Sequence, residues 1–315
     1  MTTDVSVLIV SYQPDFEQLK KTVISAIRQK NVIHQIVIAD DGSANNYFEE
    51  IREVFKKEHF DGYILVPSDT NNGTCHNIYY GLRACTGTYV KTIAPGDYLF
   101  DESTLFYWLQ QIKTHSADVC FGDTLYYRKN QNQSIQVLQQ KRQPQNINIY
   151  SSERFSKFDR VLNYIFLKDV VVGASFLTKK DVMEKYMKLI NGKIKYAEDM
   201  IYRIMLIEGV DFCYYPSPVV WYEYGTGIST SGSGKWNDII NKERIECNEI
   251  IKSSTTYRGL KRRRLCLALD ATKTKRTDVL KYFIYPKLVY WKIKKDRCKA
   301  LTSVNVDCSY IDSLN

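Results

Sequence analysis

The chain has 315 residues, 44% hydrophobic and 25% charged, with 24 Tyr, 13 Phe and 4 Trp. That length can bury a substantial core in one large or two modest domains, and the composition excludes a disordered, collagenous or disulfide-stapled chain. No apolar run reaches the roughly 18–20 residues needed to cross a bilayer. The start, Met1-Thr2-Thr3-Asp4, has no basic and apolar leader pattern, so a cytoplasmic location is expected. The eight cysteines are scattered with no C-x-x-C pair, which argues against a zinc knuckle or a redox pair and suits a reducing compartment.

In chain order, Val5-Ser-Val-Leu-Ile-Val10 is a short apolar run of the kind buried on both faces of a parallel sheet. Leu19, Val23, Ala26 and Ile27 follow at helical spacing. Residues 35–39 predict a second strand ending in Asp40-Asp41-Gly42-Ser43, and Phe48, Ile51, Val54 and Phe55 a second helix. Residues 63–66 predict a third strand, Asn71-Asn72-Gly73 a turn, Tyr79, Leu82 and Arg83 a helix, and residues 89–93 a fourth strand. This βαβαβαβ rhythm implies a parallel sheet with right-handed crossovers. Polar residues end its strands: Ser11 and Tyr12, Asp40 and Asp41, Ser68 and Asp69, and Asp97. They should converge on one rim, where ligands of open α/β sheets bind. The second half is less regular. Residues 117–121 and 170–176 read as strands, 182–190 and 199–207 as helices, and helical patterns dominate from Trp236 onward.

Two turns carry candidate chemistry. Pro95-Gly96-Asp97 sets one carboxylate directly after an apolar strand, where it can act as an oxygen ligand to a hard divalent cation or simply as a turn residue. Asp40-Asp41-Gly42-Ser43 is either an Asp-Gly turn or a site where Asp41 accepts from a pyrimidine N–H or a ribose hydroxyl. No G-x-G-x-x-G and no P-loop is present, so a nucleotide here would be held by carboxylates and a metal. The four histidines show no metal spacing, although His76 lies near the Asn-Gly turn. Asp123 ends a further strand and is a lower-ranked candidate to face an acceptor, with Tyr126 and Tyr127 beside it able to stack on a sugar or to pack.

Val5-Ser-Val-Leu-Ile-Val-Ser-Tyr12, Val37-Ile-Ala-Asp-Asp-Gly-Ser43, Asn72-Gly73, Gly87-Thr-Tyr-Val90, Pro95-Gly-Asp97 and Glu198-Asp199 stand in the order seen in family 2 glycosyltransferases. The chain resembles that family over about residues 4–230. The resemblance implies the α/β GT-A nucleotide-diphospho-sugar fold, a mostly parallel central sheet flanked by helices, and inverting sugar transfer from a UDP- or dTDP-sugar. It implies that Ser11 and Tyr12 line the base pocket, that Asp41 bonds the base, and that Gly73 and Gly96 belong to the donor site. It further implies that Asp97 holds Mn²⁺ or Mg²⁺ and that Asp199 is the general base, with Glu198 at the acceptor. A carboxylate at a helix N-terminus is stabilised in its ionised form, so Asp199 is expected to be charged; a solvated N-cap pair is the competing account. Ser229 and Thr230, in the Gly- and Ser-rich stretch 225–234, are candidates to fold over the diphosphate, against a plain connector. Two departures stand out: Gly96 occupies the place of the first acid of a D-x-D turn, and Ile78 falls where many relatives carry an arginine. Lys91 is the substitute cation expected to offset diphosphate charge.

Between Tyr257 and Ala300 there are 15 basic and 3 acidic residues, a balance of +12, whereas the whole chain carries +9. The excess charge therefore belongs to a C-terminal segment. Its cations are mixed with Tyr, Trp and aliphatics, as suits the headgroup layer of an anionic membrane, and Pro286 should split the helix there. A basic helix packed on the catalytic body is the competing account. No RRM, KH or zinc-knuckle signature supports nucleic-acid binding. The expected organisation is a catalytic domain over residues 1–235, with a nucleotide-sugar half to about residue 100, followed by a basic helical region over 236–315. The expected protein is a glycosyltransferase peripheral on the inner face of the plasma membrane, acting on a lipid-linked glycan. A glycoprotein acceptor, or a catalytically inactive module docking on membrane or nucleic acid, is the alternative.

Overall fold

The structure, a computed structural model, describes residues 3–130, 134–138, 143–225, 234–297 and 308–314. Nine strands build one mixed sheet: β1 (Val5–Ser11), β2 (His34–Asp40), β3 (Tyr63–Val66), β4 (Tyr89–Ile93), β5 (Tyr98–Leu99), β6 (Val119–Lys129), β7 (Ile135–Val137), β8 (Phe176–Lys179) and β9 (Phe212–Glu223). Their order is β3-β2-β1-β4-β8-β6-β9-β5, with β7 on β6. The first four strands are parallel, as the alternating pattern predicts. β8 joins antiparallel to β4 and β6, which lets the second half extend the same sheet. Together with the flanking helices this is a GT-A-like α/β architecture.

Period-2 geometry sends alternate side chains to opposite faces. Val7 and Ile9 of β1 face the helices Phe16–Ile27 and Phe48–Lys57 through Leu19, Val23, Ile51 and Phe55. Leu8 faces the other layer, where Cys75, Ile78, Leu82, Met183 and Ile204 pack. Each such side chain, fully buried, contributes about 1.5–3 kcal/mol. Asp15 caps the first helix by accepting the Gln18 N–H, which aims Gln18 at the C-terminal end of β9.

Two stretches differ from the pattern-based reading. Residues 170–176 do not form a strand: 170–172 are unpaired, Gly173–Ser175 is a 3₁₀ turn, and the strand begins at Phe176. An apolar run reports burial, not backbone conformation. The helix expected over 199–207 runs Met200–Glu208, with Asp199 as its N-cap.

The C-terminal region is helical over Gly234–Ser254, Gly259–Ala271, Leu280–Ile284 and Lys287–Arg297, with the break at Pro286. Leu265, Ala268, Leu269, Leu288 and Trp291 pack it onto the core. Among the described residues no helix is long and apolar enough to cross a membrane.

Gly87 tests how closely β1 and the turn before β4 approach: a Cβ there would stand 2.4 Å from the Ser6 nitrogen and 2.6 Å from the Val5 carbonyl carbon. Backbone atoms cannot swing aside, so Gly87→Ala is expected to cost about 1–3 kcal/mol, read as a lowered urea midpoint at unchanged slope.

Candidate active site

The carboxyl ends of β1 and β4 open into a cavity of about 630 Å³. Of the strand ends expected to share one rim, Ser11, Tyr12 and Asp97 line this cavity, whereas Asp40, Asp41, Ser68 and Asp69 do not. Glu198, Asp199 and Arg203, nearly 190 positions from Ser11 in the chain, line the same cavity. Ser11 is buried, and its Oγ has no hydrogen-bond partner among the described residues. Tyr12, by contrast, is 51% exposed and presents a ring face at the mouth.

The Asp97 turn is tied at several peptides. The Gly96 N–H donates to Thr22 Oγ1 at 3.2 Å, and that hydroxyl donates to the Asp97 carbonyl at 2.9 Å. The Tyr127 hydroxyl donates to the Gly96 carbonyl. Asp97 Oδ1 accepts the Glu223 N–H at 3.2 Å. Gly96 has φ of +94°, and a Cβ there would lie 2.9 Å from Glu223 Oε2. Glycine is thus required by the turn itself, and Gly96 is not on the cavity wall.

Burial pushes the Asp97 carboxyl up to about 7, against the lowering effects of the Glu223 N–H and of Lys91. Lys91, expected to meet the diphosphate, does not line the cavity. It is fully buried, donates to the Thr92 carbonyl and lies 5.9 Å from the Trp108 ring centre. Its ammonium is pulled down to about 7 by burial. Position along β4 explains the correction: Thr92 and Ile93 at the carboxyl end of the strand reach the cavity, whereas Lys91 lies deeper, buried beneath it beside Trp108.

Cations on the cavity wall come instead from Lys168, Arg203 and Arg244. Arg203 is buried and donates to Asn248 Oδ1 at 2.9 Å. The buried Nε of Arg244 has no partner among the described residues. Sequence reading missed all three. A signal existed for Arg203, because it stands four residues after Asp199 and so shares its helix face; Lys168 and Arg244 carried none.

Asp199 is a helix N-cap whose side chain makes no capping bond, so the carboxyl is left to the cavity. Its ionisation is set by its surroundings rather than by the helix end alone: burial raises its pKa to about 6, Arg203 pulls it down, and Glu243 pushes it up. The helix N-terminus does not outweigh desolvation. Glu198 is raised further, to about 8, by burial first and then by the adjacent Asp199. Gly173 makes room for it, since a Cβ there would be 2.9 Å from Glu198 Oε1.

Besides Gly96 and Lys91, three further expected site residues lie off the cavity wall. Asp41 spends its carboxylate on the neighbouring turn: Oδ1 accepts the Asn72 N–H at 2.9 Å and Oδ2 the Gly73 N–H at 2.8 Å. Gly73, at φ +94°, packs where a Cβ would be 2.7 Å from the Lys195 carbonyl. Asp123 is buried in β6 and accepts from the Tyr214 hydroxyl at 2.8 Å. Register shifts on either side of Asp123 mark an irregularity that turns it inward. Tyr126 and Tyr127 are packed, with hydroxyls bonded to Gln143 and to the Gly96 carbonyl. Ser229 and Thr230 lie outside the described residues.

Residues 6–187, more than half of the chain, match the family described as Glycosyl transferase family 2, and the chain belongs to that family. No curated protein sequence matches it. Among solved structures it is similar in fold to S. aureus TarS 1–349, with a TM-score of 0.58 at 12% identity, covering 91% of this chain and 73% of that one. It is similar as well to the same protein in complex with UDP (TM-score 0.58, 12% identity, 87% and 73% covered) and with UDP-GlcNAc (0.56, 14%, 93% and 88%).

Proposed function

We propose that the chain transfers a sugar from a UDP- or dTDP-sugar to a glycan hydroxyl with inversion at the anomeric carbon. The observation that carries this reading is the placement of Asp199 and Glu198 across one cavity from Ser11, Tyr12 and Asp97. The complexes of TarS with UDP and UDP-GlcNAc, whose fold this chain shares, support the choice of donor.

In this reading Tyr12 stacks on the base and the unpaired Ser11 hydroxyl bonds it. Asp199 accepts the proton of the acceptor hydroxyl, whose oxygen forms the new bond to the anomeric carbon. The bond to the diphosphate oxygen breaks with its electron pair leaving on the diphosphate. Arg203, Arg244 and Lys168 meet that charge, the buried Arg203 most strongly because it is the most shielded from water. Glu198, protonated at neutral pH, is placed to donate to the acceptor. Among the described residues no three metal-ligating side chains cluster, so a hard cation at Asp97 would take one carboxylate from the protein and the rest of its ligands from diphosphate oxygens and water. When bound, Mn²⁺ or Mg²⁺ would supply further charge neutralisation at the diphosphate.

The acceptor is proposed to be a lipid-linked glycan, because the C-terminal helices present apolar and basic side chains together. Leu260, Leu267, Leu280, Phe283, Tyr290 and Ile293 are all exposed, Phe283 to 76%, within the segment of balance +12. Apolar exposure beside cations is the chemistry of an anionic bilayer surface.

Asp199→Asn is expected to retain binding of UDP-GlcNAc in calorimetry while losing turnover at least about 100-fold, the usual scale of general-base catalysis. Asp199 must be ionised to act, so turnover of the native enzyme should fall as pH drops through about 6; a limb near 4 would remove Asp199 as the base. Asp97→Ala should abolish the thermal stabilisation that Mn²⁺ adds to UDP-GlcNAc binding, whereas the same Mn²⁺ increment in the variant would refute the cation assignment. Phe283→Ser combined with Ile293→Ser should reduce co-sedimentation with phosphatidylglycerol vesicles at low salt and leave the melting temperature within a few degrees. Undiminished binding would count against the docking surface.

A further inference from the structure

We propose that Glu243 is a positioning residue: from the helix Gly234–Ser254 its carboxylate clamps the backbone of residues 195–197 and so sets where Glu198 and Asp199 stand in the cavity. The catalytic meaning of this clamp rests on Asp199 acting as the base; the clamp itself rests on geometry.

Glu243 is buried, and both of its oxygens are used. Oε1 accepts the Lys195 N–H at 2.9 Å and the Tyr196 N–H at 3.1 Å, while Oε2 accepts the Tyr196 N–H at 3.2 Å and the Ala197 N–H at 2.8 Å. Three successive backbone donors thus converge on one side chain. No regular structure satisfies them, and buried N–H groups must be met somewhere. Once three adjacent peptides are oriented, few dihedrals remain before Asp199. The Ala197 carbonyl then accepts the Met200 N–H at 3.1 Å, which starts the helix whose N-cap is Asp199.

The clamp is tied at both ends. The Lys195 carbonyl accepts the Cys75 N–H at 3.0 Å, joining the loop to the helix Thr74–Gly81 behind the strand ends. On the other side, the helix bearing Glu243 grips the Asp199 helix through Asn248 Oδ1, which accepts from Arg203 at 2.9 Å. Arg244, next to Glu243 in the chain, lines the cavity. One C-terminal helix therefore both places the acidic pair and contributes a cation to the same wall. A carboxylate suits the clamp because it only accepts; a glutamine would turn an NH₂ against one of the three N–H groups.

The charge of Glu243 adds an electrostatic effect, since it pushes up both Glu198 and Asp199. Asp199 is otherwise faced by Glu198 and Arg203 from its own segment, and by Tyr164, Tyr202, Cys75 and Cys247 from the elements around it. Asp97 acts on Glu198 across the cavity.

The test uses the full chain, UDP-GlcNAc as probe and water as acceptor. Glu243→Ala should lower kcat about 100-fold, the scale of a roughly 1 Å misplacement, with KM for UDP-GlcNAc unchanged within about twofold. Amides 195–197 should lose protection in hydrogen exchange. Glu243→Gln, which keeps most of the acceptor geometry, should lose about tenfold in kcat and shift the acid limb to lower pH, because a negative neighbour is gone. In the Asp199→Asn background, Glu243→Gln should add no further loss. Native exchange protection at 195–197 together with full kcat and an unmoved pH profile in Glu243→Gln would overturn the clamp, even if the alanine variant failed to fold. Normal turnover by Asp199→Asn alone would instead overturn the base assignment, leaving the clamp to be decided by the exchange data.

Discussion

Three carboxyl groups on the wall of one cavity, Asp97 buried and Glu198 and Asp199 half-buried, set the terms for the rest of the molecule. Desolvation disfavours their charged forms, so Asp97, Glu198 and Asp199 are all raised above the ordinary carboxylate range. Such a site favours whatever brings positive charge or a proton to it. Arg203 offsets part of the imbalance at Asp199 and Lys91, from behind, part of it at Asp97. In the proposed function, the remainder would be relieved by an acceptor hydroxyl that gives up a proton and by a cation carried in with a diphosphate.

Precision at the two sides of the cavity is achieved differently. Asp97 sits on a turn held by Thr22, Tyr127 and Glu223, contributed by a helix and two strands of the sheet. Asp199 sits after a loop with no sheet to lean on, and the Glu243 carboxylate supplies the acceptors that a strand would otherwise provide. Rigid support behind the reacting groups is what keeps a site of this kind from being an ångström too loose. Asp41 works in a similar manner, spending both oxygens on the Asn72-Gly73 turn.

The C-terminal helices face two ways. Leu265, Leu288 and Trp291 are buried against the body, while Phe283, Tyr290 and Ile293 point outward among cations. Packing on the core therefore does not compete with the proposed contact with a charged surface, because the same helices carry both buried and exposed apolar side chains. Exposed apolar side chains gathered in one segment call for a partner in a way that scattered ones do not.

The parallel half was legible from residue order, because a strand buried on both faces and an amphipathic helix each impose a local period that survives in the sequence. Local chemistry marked Ser11, Tyr12 and Asp97 as polar strand ends, and the family resemblance added Glu198 and Asp199; all five line one cavity. What no local pattern contained was direction and neighbourhood. Lys91 lies too deep along its strand for the role expected of it, Asp123 is turned inward where the β6 register slips, and Arg244 and Glu243 reach the site from a helix more than forty residues beyond Asp199. Side-chain direction in a mixed sheet, and the long-range packing that sets local dielectric, arise only when distant segments meet. Periodicity and turn chemistry thus determined which elements form and where their polar ends fall; tertiary packing alone decided which of those ends share a cavity and how readily each one ionises.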